Sequence, residues 1–288
     1  MTKKNQKSID LGSTKIIIGD SRKVLSDFPD DSFQCCITSP PYWGLRDYGI
    51  EGQIGAENDI NDYIKDLVDI FREVRRTLSS DGTLWLNIGD SYTSGGRTWR
   101  DTDKKNPGRG MSYRPPTPEG LKPKDLIGVP WKLAFALQAD GWYLRSDNIW
   151  YKPNCQPESV KDRPTRSHEY VFLFSKSEKY FYNHEAIMEP VKYGGLEKKN
   201  RRTVWQINTA GFKGAHFAVF PPELVEVCML AGSEPQATIL DPFLGSGTVA
   251  EVCTKFGRKC VGIELNEEYA KMAVERVPNI TSELFEIS

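Results

Sequence analysis

Two short stretches carry residue types whose spacing could do chemistry. The first is Asp241-Pro242-Phe243-Leu244-Gly245-Ser246-Gly247-Thr248, lying between an apolar run and a helical one. Glycines in such a turn let the backbone approach a ligand closely, and free N–H groups at a helix start attract a carboxylate or phosphate. The spacing is not G-x-x-x-x-G-K-[ST], since the lysine is missing, so a nucleotide P-loop is excluded; nor is it G-x-G-x-x-G, which weakens a dinucleotide reading. Glu264, in Val261-Gly262-Ile263-Glu264-Leu265-Asn266, ends the following strand, where an acid can hold a ribose diol by two hydrogen bonds. Loop and acid together point to a nucleoside-bearing cofactor. The plain alternatives are a tight turn that needs glycine and an acid that caps the next helix.

The second stretch is Thr38-Ser39-Pro40-Pro41-Tyr42-Trp43, directly after a buried strand. Two prolines fix the backbone and remove donors, so the carbonyls of Ser39 and Pro40 can face outwards as acceptors. An exocyclic amine needs such acceptors, and Tyr42 and Trp43 could stack on a planar base drawn out of a duplex. The plain alternative is a proline turn with aromatics plugging the domain edge. Asp20, in Ile18-Gly19-Asp20-Ser21, ends another strand and could accept from an adenine amino group, although it is an equally natural helix N-cap.

These residues need a scaffold, and the periodicities supply one. Lys15 to Ile18 and Gln34 to Thr38 read as buried strands, Tyr63 to Leu78 as a helix, and Thr83 to Ile88 as a parallel strand after the Ser79-Ser80-Asp81-Gly82 turn. A helix near Pro130 to Ala139 precedes two β-rich runs, Trp142 to Tyr151 and Glu169 to Phe174, that could pair as a hairpin. The last third reads as helix from Pro221-Pro222, strand Ala237 to Leu240, the glycine loop, helix Val249 to Phe256, strand Lys259 to Ile263 and helix Glu267 to Val277. That is a cofactor-binding βαβ unit at the end of the chain, and it implies a doubly wound α/β domain. Two irregular basic stretches interrupt the pattern, residues 91–124 and 185–213.

Bulk properties narrow the class. The 288 residues carry 39% hydrophobic and 27% charged positions, ordinary for a globular protein, with no apolar run of spanning length and no leader, so a cytoplasmic location is expected. Six cysteines show no C-x-x-C spacing and read as buried reduced thiols; three scattered histidines give no zinc site, and no metal is expected. Net charge is −1, so any surface for nucleic acid must be local. Arg97, Arg100, Lys104, Lys105 and Arg109 are interleaved with Trp99 and Tyr113, while Lys199, Arg201 and Arg202 precede Trp205. A solvated face is the alternative for both clusters.

With these motifs in hand, the chain resembles the β-type DNA amino-methyltransferases, the cytosine-N4 and adenine-N6 family, over nearly its whole length. Residues 241–248 look like the family's cofactor loop, Gly262-Ile263-Glu264 like its ribose-binding strand, and Ser39-Pro40-Pro41-Tyr42 like its catalytic motif, placed ahead of the cofactor loop. His216-Phe217-Ala218-Val219-Phe220-Pro221 is similar to the segment lying against the methionine part of the cofactor. Trp150-Tyr151-Lys152-Pro153-Asn154 and Arg166-Ser167-His168-Glu169-Tyr170 match blocks near the target-base side.

The resemblance implies a single circularly permuted domain with a mostly parallel seven-stranded sheet and a β-hairpin edge. It implies S-adenosylmethionine held by Asp20, Thr38, His216, Phe220, residues 241–248 and the Glu264-Leu265 pair, and direct in-line transfer to a flipped base at Ser39, Pro40, Pro41 and Tyr42. Ser39 at the first motif position usually goes with cytosine N4, where Asp or Asn goes with adenine N6. Double-stranded DNA is the expected substrate, read by the two irregular stretches, with a cognate restriction endonuclease as a candidate partner and a monomer or homodimer as the assembly. Rival readings are adenine-N6 methylation, methylation of RNA or a protein amide, and a non-catalytic DNA-binding module.

Overall fold

Strand-forming residues here alternate between two buried faces, and this splits the core in two. The computed structural model describes residues 7–45, 49–93, 115–191, 197–210 and 220–277. Its strands, in chain order, are β1 (Ser8–Asp10), β2 (Thr14–Ile18), β3 (Phe33–Thr38), β4 (Leu78–Ile88), β5 (Tyr143–Tyr151), β6 (His168–Ser175), β7 (Glu189–Pro190), β8 (Lys198–Lys199), β9 (Val204–Gln206), β10 (Thr238–Asp241) and β11 (Lys259–Glu264). The helices are α1 (Ser21–Val24), α2 (Ile60–Thr77), α3 (Val129–Ala139), α4 (Pro222–Gly232), α5 (Thr248–Lys255) and α6 (Glu267–Arg276). Nine strands form one sheet in the order β1-β2-β11-β10-β3-β4-β6-β5-β9, and β7 pairs with β8 separately.

Seven of the nine, from β2 to β5 in that order, form the expected mostly parallel sheet, with β6 reversed against β4 and β5 as the hairpin edge. Two short strands extend it. β1 adds antiparallel to β2, and β9 adds parallel to β5. Val204–Gln206 lies in a stretch that reads as irregular, because three residues are too few to show a period. What holds it is Trp205, buried against Trp85, and the hydrogen bond from the Trp150 indole to the Ile207 carbonyl at 2.8 Å.

Side chains one residue apart on a strand point to opposite faces. Cys36, Leu84, Leu86, Leu240 and Ile263 pack with the α2 and α3 residues Leu67, Phe71 and Leu133 on one face. Cys35, Trp85, Ile239 and Cys260 pack with the α4, α5 and α6 residues Val225, Val249 and Ala270 on the other. Asp59 caps α2 through the Asn61 N–H at 2.8 Å, and Tyr63, Leu67, Phe71 and Val74 make its fully buried stripe at helical spacing. The Ser79–Gly82 turn expected before β4 lies inside that strand, as a register irregularity opposite Phe33 and Cys35.

Candidate functional site

β3 leads to α2 on one face of the sheet, whereas its neighbour β10 leads to α5 on the other. Neighbouring strands whose connections leave on opposite sides open a crevice at their carboxyl ends. A cavity of about 190 Å³ occupies that end, and Asp20, Ser39, Pro40, Pro41, Tyr42, Phe220, Pro242, Phe243, Gly245, Ser246, Thr248, Glu264 and Leu265 all line it. Two motifs about two hundred positions apart therefore share one wall-to-wall site.

The glycine corner is held by its own backbone donors. Leu244 N–H donates to the Ile263 carbonyl at 2.9 Å and Gly245 N–H to Glu264 Oε2 at 2.8 Å, so the loop is fastened to the end of β11. Gly247 sits at φ +85° as the N-cap of α5, and a Cβ there would lie 2.8 Å from that of Ala273, so α6 also requires its absence. Glu264 Oε1 accepts from Asn266 N–H at 2.7 Å; each carboxylate oxygen retains a second lone pair with which to meet a diol. Burial raises the Glu264 pKa, and the N–H groups of Asn266, Gly245 and Leu265 pull it back.

Asp241 stands behind this corner, 1% exposed. Burial pushes its carboxyl up to about 7, against the pull of the Thr38 hydroxyl, which donates to Oδ1 at 2.7 Å, and of Phe243 N–H at 3.0 Å. Oδ2 is buried with no hydrogen-bond partner among the described residues. Neither Asp241 nor Thr38 is among the residues lining the cavity: Thr38 ties β3 to β10 through Asp241. Of the two sequence readings of Asp20, the helix cap is what the hydrogen bonds show. It caps α1 through Arg22 N–H at 3.0 Å, lines the cavity, and is gripped by the Arg22 guanidinium, which also donates to the Gly52 carbonyl at 2.7 Å.

At the proline corner, Tyr63 hydroxyl donates to the Pro41 carbonyl at 2.9 Å, and Leu45 N–H donates to that of Tyr42 at 3.2 Å. Tyr42 hydroxyl donates to Glu169 Oε2 at 2.8 Å, and Ser39 Oγ lies 3.5 Å from the same hydroxyl. Burial, then the Glu169 charge, holds the Tyr42 phenol well above its ordinary value, so it keeps its proton. Glu169 in turn pairs with Lys152 and accepts from the Asn87 amide at 3.2 Å.

Trp43 corrects the sequence reading. It is 4% exposed, its indole N–H donates to the Glu57 carbonyl at 2.9 Å, and it packs in the core beneath the corner, so it does not face a base. Lys199 and Arg202 pair with Glu189, and the Arg201 guanidinium lies over Trp205 at 5.6 Å; none of the three lines the cavity. His216 and Arg97, Arg100, Lys104, Lys105 and Arg109 lie outside the described residues. Glu169 and Lys152 were visible only as parts of similar blocks. The pairing of Tyr151 with His168 that sets them side by side is a register fact, which no local pattern announces. Arg22, with no signal in the sequence beyond its neighbour Asp20, was missed.

Buried thiols complete the picture. Cys35 and Cys36 lie inside β3, and burial raises the Cys35 thiol to about 12, so neither is a nucleophile for the site. Among the described residues no cluster could hold a metal ion, and no helix is long and apolar enough to cross a membrane.

The DNA methylase family model of the N6/N4 methyltransferases matches residues 33–275. The Type II methyltransferase M.SmaI of Serratia marcescens is 69% identical over 267 residues, covering 93% of this chain and 91% of that protein. Among solved structures, the cytosine-N4-specific PvuII DNA methyltransferase superposes with a TM-score of 0.70 at 21% identity, over 93% of this chain and 87% of that one. The M1.HpyAVI–SAM complex superposes with a TM-score of 0.59 at 17% identity, over 91% and 98%.

Proposed function

We propose cytosine N4 in double-stranded DNA as the methyl acceptor, on the premise that the chain belongs to the N6/N4 family of DNA methylases. The observation that carries the reading is the convergence of Ser39-Pro40-Pro41-Tyr42 and the 241–248 loop on one cavity, with serine at the first motif position. The superposed PvuII enzyme, described as cytosine-N4-specific, supports the same target.

The cavity's lining fits S-adenosylmethionine: carboxylates at Asp20 and Glu264 for adenine and ribose, and apolar walls from Phe220 and Phe243. When bound, S-adenosylmethionine supplies a methyl group activated on a sulfonium centre. Everything else falls to the chain. Ser39 Oγ and the Pro40 carbonyl accept from the amine and turn its lone pair towards the cofactor side of the cavity, and Tyr42 offers a ring to the base. A covalent enzyme adduct is not required, and the buried thiols of Cys35 and Cys36 offer no attack on a ring carbon. Duplex contact is assigned to residues 95–114 and 198–213, with a restriction endonuclease of the same specificity as partner and the cytoplasm as the place of action.

The test is a digest of DNA treated with protein and cofactor, with the nucleosides separated by mass. N4-methylcytosine is expected; N6-methyladenine alone would reject the target assignment.

A further inference from the structure

Glu169 is not part of either motif, yet it sits at the centre of the contacts around Tyr42. β5 ends and β6 begins at the same edge of the sheet at which β3 ends, and the register Trp150↔Glu169 and Tyr151↔His168 brings the start of β6 against Lys152. There the Glu169 carboxylate has side-chain exposure of 17% and its Lys152 partner 16%. One carboxylate oxygen takes the Tyr42 hydroxyl at 2.8 Å and the Asn87 amide at 3.2 Å, and the other takes Lys152. Asn87 is itself fixed, because its amide also donates to the Tyr170 carbonyl at 3.1 Å. Gly89 shows how tightly the group is set: a Cβ there would lie 2.8 Å from the Tyr42 ring and 3.2 Å from Glu169 Cγ.

We propose that Glu169 is a positioning residue that sets the direction of a hydroxyl chain, so that Ser39 presents a lone pair, rather than a proton, to the amine being methylated. An ionised carboxylate only accepts, so Tyr42 must spend its proton on Glu169. The phenol oxygen then faces Ser39 as an acceptor, and the Ser39 hydroxyl, 3.5 Å away, points its hydrogen at Tyr42. Ser39 Oγ is left with its lone pairs free for the amine N–H. Lys152 fixes the Glu169 carboxylate in place through their ion pair, while the packing across Gly89 stops the tyrosine from turning away. A carboxylate that merely tied β5 to β6 would need Lys152 and nothing else. The Tyr42 hydrogen bond is what links it to the chemistry.

This inference rests on the proposed amine methylation, and the experiment separates the two. Wild type, Glu169→Gln, Tyr42→Phe and the double variant are assayed for methyl transfer to duplex DNA, with cofactor affinity measured by calorimetry without DNA. Glu169→Gln is expected to lower kcat about tenfold, with cofactor Kd changed less than about twofold, because a neutral amide no longer dictates which way the chain runs. Tyr42→Phe is expected to lower kcat comparably, and adding Glu169→Gln to it should cost nothing further, since the link between the two residues is already cut. Losses that multiply in the double variant, or a Glu169→Gln enzyme with wild-type kcat, would overturn the proposal. Where Glu169→Gln fails to fold by thermal melting, Tyr42→Phe decides alone, and wild-type kcat in that variant refutes the chain. The nucleoside product of the wild type is read in the same samples. N6-methyladenine would end the cytosine assignment while the cycle still judged Glu169, and no transfer to any DNA would remove both.

Discussion

An alanine at position 262 would place its Cβ 2.6 Å from both Cδ atoms of Leu244 and 2.9 Å from its Cγ. Gly262 is the middle of the Val261-Gly262-Ile263 run of β11, and Leu244 is a large apolar side chain of the glycine loop, 4% exposed. Contacts that short force the leucine out of its place, which costs about 1–3 kcal/mol for overpacking. Leu244→Ala alone empties the same space and costs about 2–5 kcal/mol. The two changes should compensate, because the methyl added at 262 enters the room that the leucine leaves; a coupling of about 1–3 kcal/mol is expected in the double variant. The measurement is a double-mutant cycle by urea unfolding, with cofactor affinity followed in parallel. Gly262→Ala alone should also weaken cofactor binding, since Leu244 lines the cavity and its N–H fastens the loop to Ile263. Free energies that add to within about 0.5 kcal/mol would refute the packing of the loop on β11.

Three further outcomes follow from the site. Tyr42→Ala should cut turnover far more than cofactor affinity, whereas Gly245→Val, at φ +55° with its N–H bound to Glu264, should lose cofactor binding; calorimetry and initial rates separate them, and equal losses in both variants would contradict the division of roles. Asp241, with its carboxyl raised to about 7, binds a proton in the folded protein that the unfolded chain has already released, so stability of the cofactor-free protein should fall as pH rises from about 4 to about 7 and level off above. Asp241→Asn should flatten that slope, which amounts to at most about 4 kcal/mol, in unfolding titrations across the range. Trp43→Phe should leave kcat near wild type while lowering stability by about 1–2 kcal/mol, because the indole fills core and donates to Glu57 rather than facing a base; a large selective loss of kcat would restore it to the site.

How much of this could be read beforehand divides along a physical line. Strands with four or more consecutive buried residues, and helices such as α2 with a full apolar stripe, stood within a few residues of their places, because burial on a fixed period leaves a local trace. β9 did not, since three residues joined to β5 by one buried tryptophan leave none. The glycine corner and the proline corner were legible for a different reason: proline removes donors and glycine permits positive φ, so each marks unusual backbone wherever it occurs. Asp20 is ambiguous in sequence between cap and ligand; it caps α1 and lines the cavity. Trp43 misled because an aromatic beside a motif looks the same in sequence whether it turns outwards or into the core. Asn87 lies in β4, Glu169 in β6 and Lys152 directly after β5, and only the pairing of β4, β6 and β5 brings them together beside Tyr42.

The proposed reaction needs one cavity to hold cofactor and target together. The most direct test is a crystal structure of the protein with duplex DNA carrying its site and a non-reactive cofactor analogue. The expected result is a cytosine turned out of the helix beside Tyr42, its amine nitrogen against Ser39 Oγ and about 3–3.5 Å from where the transferable methyl would stand, with the adenosine end between Asp20 and Glu264. An analogue bound away from the 241–248 loop, or a target base seated beyond reach of Ser39, would contradict the account.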